Sequence, residues 1–176
     1  MASAGNALRA HLEGLLTGTG GTGYTLDAGR FHLIEEGKTA DDHPINAGER
    51  ACEVVIDAAG PFVERNPYDG FSFERFTVTV RIAYALTKAG GDLVEGLTEQ
   101  NGAATLGAIR DRALTDYLDV VRVLSWPDNR GSTNPVIIAL VCEEPYSLDD
   151  GAEDRVIVEI PFRLDARVTT TSAYAP

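Results

Sequence analysis

Residues 73–86 read FERFTVTVRIAYAL. Phe76, Val78, Val80, Ile82, Tyr84 and Leu86 alternate with Arg75, Thr77, Thr79, Arg81, Ala83 and Ala85. A period of two is that of a strand with one face in a core and one toward water. The same alternation returns near the end, in RVIVEIPFRLDARV (155–168), where Val156, Val158, Ile160, Phe162 and Leu164 share a face. Pro161 interrupts that strand and cannot donate to a ladder, so it points to an edge, a bulge or a strand whose bonding partner lies elsewhere.

Between these strands, NGAATLGAIRDRALTDYLDVVRVLSWP (101–127) repeats apolar residues at helical spacing and ends at Pro127. Leu106, Ile109, Ala113, Tyr117 and Val120 or Val121 form the stripe, and Arg110, Asp111, Arg112, Asp116 and Asp119 are placed on other faces. ACEVVIDAA (51–59) reads as a strand, and VIIALVCEE (136–144) as a short strand buried on both faces. The stretches 36–50, 60–70, 126–135 and 143–154 read as polar loops, the last a hairpin connection with Asp150-Gly151 at its turn. The order of helix, β, β, long β, helix, β, β predicts an α+β fold: a mostly antiparallel sheet of about five strands, with an N-terminal helix and one long helix packed on it. Residues 1–168 are expected to form one such domain and 169–176, TTTSAYAP, with nothing to bury, a flexible C-terminal tail.

GLLTGTGGTGYTL (14–26) carries Gly18, Gly20 and Gly23 at the spacing of a dinucleotide-binding fingerprint. That fingerprint needs a strand before the glycines and a helix after them. Here Leu8, Leu12, Leu15 and Leu16 mark a helix before, while Tyr24, Thr25, Phe31 and Ile34 favour a weak strand after. The reversed order indicates a helix C-cap and a flexible connection rather than a phosphate cradle.

The chain has 176 residues, 44% hydrophobic and 24% charged, as expected of one globular domain. Its formal charge of −12 disfavours tight binding to nucleic acid, which requires clustered Lys and Arg. Cys52 and Cys142 stand far apart in apolar runs and read as small buried hydrophobes rather than a disulfide or a reactive thiol. No signal peptide or membrane span is visible, which suggests a reducing cytoplasm.

Reactive constellations do not emerge. His11, His32 and His43 share no metal-binding spacing, no nucleophile elbow occurs, and the acidic run of Glu143, Glu144, Asp149, Asp150, Glu153 and Asp154 does not follow an EF-hand. That run reads as a solvated loop or a surface for a basic partner. Neither enzyme activity nor a cofactor or metal is expected. Polar loops on a compact sheet suit contact with other proteins.

The succession of N-terminal amphipathic helix, loop, FTVTVRIAYAL, LGAIRDRALTDYLDVV and closing RVIVEIPFRLDARV resembles the tail terminator, or tail completion, proteins of long-tailed bacteriophages and phage-like particles. The resemblance is one of element order, size and pattern over most of the chain. The loops 36–50 and 143–154 and the negative charge depart from it and leave open a head-closure or connector role in the neck. A small-ligand-binding or enzymatic α+β domain, or a cellular adaptor, is the rival reading. The resemblance implies a hexameric ring of identical subunits in the virion, assembled in the host cytoplasm. Such a ring sits between the tail tube protein and the head–tail connector, and DNA passes through it without specific binding. Arg65, Tyr68, Trp126, Arg130, Pro161 and Arg163 are the expected interface residues, with the Pro161 strand as the candidate pairing edge. Asp149, Asp150, Glu153 and Asp154 are expected to form an acidic rim or channel wall.

Overall fold

The computed structural model describes residues 4–35, 37–43, 50–61, 70–85, 106–131, 135–152 and 155–169. Among these residues two α-helices, α1 (Ala4–Leu16) and α2 (Leu106–Ser125), accompany six strands: β1 (His32–Leu33), β2 (Arg50–Pro61), β3 (Phe71–Ala85), β4 (Val136–Cys142), β5 (Ser147–Ala152) and β6 (Arg155–Thr169). The strands form one sheet in the order β1-β2-β3-β6-β4, with β5 also paired to β6. Only the two-residue β1 runs parallel to its neighbour; the other pairings are antiparallel, and the chain is α+β.

The alternation in β3 sets the layers. Val78 lies between Ile56 of β2 and Phe162 of β6, and Val80 between Val54 and Ile160. These even-numbered side chains turn to the helices and meet Leu8, Leu12, Leu15 and Leu16 of α1 and Ile109, Ala113, Val120, Val123 and Leu124 of α2. Each Val, Leu, Ile or Phe side chain so taken from water contributes roughly 1.5–3 kcal/mol. The helix layer follows the sheet, α1 over β2 and α2 over β4 and β6. On the opposite face, Ala40 of the loop after β1 packs with Ala51, Ala83 and Ile157. Arg155 fastens that loop by donating from Nη1 to the carbonyls of Ala40 (3.1 Å) and His43 (2.8 Å).

Pro161 stands inside the sheet, not at its edge. β6 pairs with β3 along its whole length, Pro161 opposite Thr79, and with β4 and β5 in succession on its other side. The Glu143 N–H donates to the Pro161 carbonyl at 3.2 Å. Since the nitrogen and oxygen of one residue face the same neighbour in an antiparallel strand, the proline nitrogen faces the break between β4 and β5. There the ladder asks for no donor, so the proline is accommodated in a central strand.

Three other expectations change. Instead of being buried on both faces, β4 is an edge strand in which Ile137 and Leu140 are buried while Ile138 and Val141 are exposed. The segment read as an acidic hairpin loop contains β5, whose last pair is Ala152 with Arg155, so Asp150-Gly151 lies within the strand rather than at the turn. Of the weak strand expected from Tyr24 to Ile34, only His32–Leu33 is strand. The predicted tail boundary falls inside β6, because Thr169 pairs with Phe71; residues 170–176 lie outside the described residues.

The glycine segment is a fixed turn. Gly18 ends α1 with φ +72°, and the N–H groups of Thr19 and Gly20 return to the Gly14 carbonyl at 3.0 and 2.8 Å. Asn129, in a one-turn 3₁₀ helix (Pro127–Arg130), then holds the following backbone. Its Oδ1 accepts from the N–H groups of Thr22 (3.2 Å) and Gly23 (3.1 Å), and its Nδ2 donates to the carbonyls of Tyr24 (2.6 Å) and Val123 (2.9 Å). His11 joins from α1, its Nε2 2.7 Å from the Asn129 carbonyl.

Candidate interaction surfaces

Polar side chains concentrate in two places, under α2 and on the helix-free face of the sheet. Under α2, Asp116 is fully buried, although its charge suggests a solvent face. Arg30 donates to its Oδ1 from Nη2 (2.7 Å) and Nε (3.2 Å), the Tyr84 hydroxyl donates to Oδ2 (2.8 Å), and Arg50 Nε lies 3.2 Å from the same oxygen. Arg30 also reaches Asp119 Oδ2 at 2.7 Å, and Tyr24 donates to Asp119 Oδ1 at 3.0 Å. Burial and the neighbouring carboxylate push the Tyr84 hydroxyl well above its ordinary pKa, keeping it a donor. With both oxygens engaged, Asp116 is a structural bracket joining α2, β2, β3 and the chain at Arg30, not a general base. The helical period gives the signal: position 116 is three residues after Ala113 and four before Val120, on the apolar stripe itself.

The helix-free face carries ion pairs between strands. Arg81 of β3 is held by Glu53 of β2 (2.6 Å), Glu159 of β6 (2.8 Å) and Asp41 (3.0 Å). Arg75 meets Asp165 at 2.7 Å, and Arg163 lies between Glu143 (3.4 Å) and Asp165 (3.9 Å). Opposite charges directly across neighbouring strands stabilise the register modestly.

The expected interface residues separate into two groups. Trp126 and Arg130 follow α2, where Trp126 packs near Tyr24 (centroids 6.1 Å apart) and Arg122 lies 4.2 Å over the Tyr24 ring. Pro161 and Arg163 belong to β6 on the helix-free face, so the fold does not gather them with Trp126. Arg65, Tyr68, Glu153 and Asp154 lie outside the described residues, while the backbone of Asp149 and Asp150 runs in β5.

The stronger surface lies elsewhere. β4, VIIALVC, has neither a charge nor a proline, and among the described residues nothing pairs with its outer side. Edge strands of soluble proteins usually carry such residues, or a bulge, to prevent pairing; β4 has only the irregularity between Ile137 and Ala139. Ile138 and Val141 are 39% and 42% exposed, and Leu114 and Leu118 of α2, one helical turn apart, are 49% and 57% exposed. At the other end of the sheet, β1 covers only Ala51 and Cys52, leaving the outer side of β2 open further on among the described residues. A groove of about 400 Å³ runs there, its lining mixed in charge: Arg9 and Glu13 of α1, Glu35, Lys38, Glu53 and Val55. Burial raises the Glu13 pKa against the opposing effect of Arg9.

Among the described residues no group of three or more His, Cys, Asp or Glu is arranged to hold a metal ion. Burial pushes the Cys52 thiol up to about 12, so it is not a nucleophile at neutral pH. Cys142 is half-buried, its Sγ 3.1 Å from the Glu144 carbonyl. No described helix is long and apolar enough to cross a membrane. No protein-family model matches the chain, and no curated protein matches it in sequence.

Proposed function

We propose that this chain is a structural virion protein of a phage tail or neck. Copies form a six-membered ring that caps the tail tube, ends its polymerisation and offers a new face to the head–tail connector. The observation that carries this reading is the unprotected β4 edge beside Leu114 and Leu118, an apolar surface suited to a protein partner. The element order of the resemblance agrees with it: an antiparallel sheet, a first helix and a long second helix between the two alternating strands. Six copies and the tube as partner come from the resemblance alone. Identical subunits that meet through two different patches close into a ring when the rotation between neighbours divides the circle.

DNA then passes through without specific binding, consistent with a charge of −12. The β5 region, with Asp149 and Asp150, is assigned to the rim or channel wall. The test is to incubate the purified chain with tail tubes of its particle and view the ends by negative-stain microscopy. Ring-shaped density with a central hole at one end supports the reading; bare ends at saturating protein refute it.

A further inference from the structure

Resting on that reading, we propose that neighbouring copies join sheet to sheet: the outer side of β4 in one copy pairs antiparallel with the open side of β2 in the next. Three features of the fold converge on this contact.

The first is direction. β4 is antiparallel to β6, β6 to β3 and β3 to β2, so a sheet continued from one copy into the next brings β4 and β2 together antiparallel. The second is level. Cys142 stands opposite Phe162, which stands opposite Val78, which stands opposite Ile56. Followed the other way, β4 therefore spans the stretch of β2 from Ile56 to Pro61, which β1 leaves uncovered. The third is the helix layer. With α1 over β2 and α2 over β4, the same step sets Leu114 and Leu118 against the exposed Arg9 and Ala10 side of α1 in the next copy. Backbone bonds and apolar contact thus come from one docking step, as in strand addition to a sheet edge. The two patches are unlike, so the contact propagates in one direction and closes only as a ring.

Single cysteines test it in a Cys142→Ser background. Asp57→Cys places a thiol on β2 and Val141→Cys one on β4, at neighbouring levels across the proposed contact. Directly opposed residues of antiparallel strands have Cα atoms about 4.5–5.5 Å apart, within disulfide reach. Mixing the two variants under ring-forming conditions with mild oxidant should yield linked dimers at least about tenfold above either variant alone, the discrimination expected of a defined geometry. The doubly substituted chain should give a ladder of higher species. Rings in the microscope with only background linkage would overturn the edge pairing and leave the ring reading standing. Linkage of Val141→Cys with itself would overturn it in favour of a two-fold contact. Absence of any oligomer, with or without tubes, would overturn both.

Discussion

Replacing Asp116 by Asn retains the volume of the side chain but removes the charge that two guanidinium groups and a phenol share. Arg30 retains Asp119 at 2.7 Å, so its loss is partial. Arg50, which has 23% side-chain exposure, loses its Asp116 partner, and burial already lowers its pKa. The Tyr84 hydroxyl must find a new acceptor inside the core. Breaking one side of a buried pair costs about 3–5 kcal/mol, and an orphaned buried donor about 1–3 kcal/mol. Because the amide oxygen recovers part of the bonding, the expected loss for Asp116→Asn is about 3 kcal/mol. At about 2–4 °C per kcal/mol for a chain of this size, Tm should fall by roughly 6–12 °C. Asp119→Asn is the control: it is 23% exposed and loses one Arg30 contact and the Tyr24 bond, at a cost of about 1 kcal/mol. Urea unfolding followed by circular dichroism measures both. Equal losses in the two variants, or a loss below about 1 kcal/mol for Asp116→Asn, would refute the account of Asp116 as the bracket under α2.

Asn129→Ala leaves two N–H groups and two carbonyls without their side-chain partner and should cost about 3 kcal/mol, seen as an earlier urea midpoint; an unchanged midpoint would contradict its role. An aromatic disulfide reagent at neutral pH should modify one thiol, Cys142, in the native protein and two in guanidinium, because the Cys52 thiol is buried and pushed up to about 12. Two equally fast native thiols would show Cys52 to be accessible. Leu114→Asp with Leu118→Asp should leave Tm within about 2 °C, since both side chains already face solvent, yet abolish ring formation in light scattering. Persistence of the ring would remove α2 from the contact.

β3 and β6 were legible because alternation over many residues leaves few other structures. The same rule misled at β4. A continuous apolar run suits a strand buried on both faces, and nothing in VIIALVC tells that from an edge strand that another molecule covers. Asp116 was placed by its charge when its helical position put it in the stripe, and its partners Arg30, Arg50 and Tyr84 are distant in sequence. Asn129 was invisible for a related reason, since its bonds reach back more than a hundred residues to the glycine segment. The proline of β6 left an edge, a bulge or a partner elsewhere all open, because the chain order does not reveal that β4 and β5 share one side of that strand and leave a break opposite it.

Growing tail tubes in increasing amounts of this chain, and recording tube length together with the structure at each end, tests the central claim most directly. The account predicts that elongation stops wherever a sixfold ring of the chain occupies an end, and that tubes shorten as the chain is added. Tubes that lengthen at the same rate, with the chain left unassembled in solution, would contradict it.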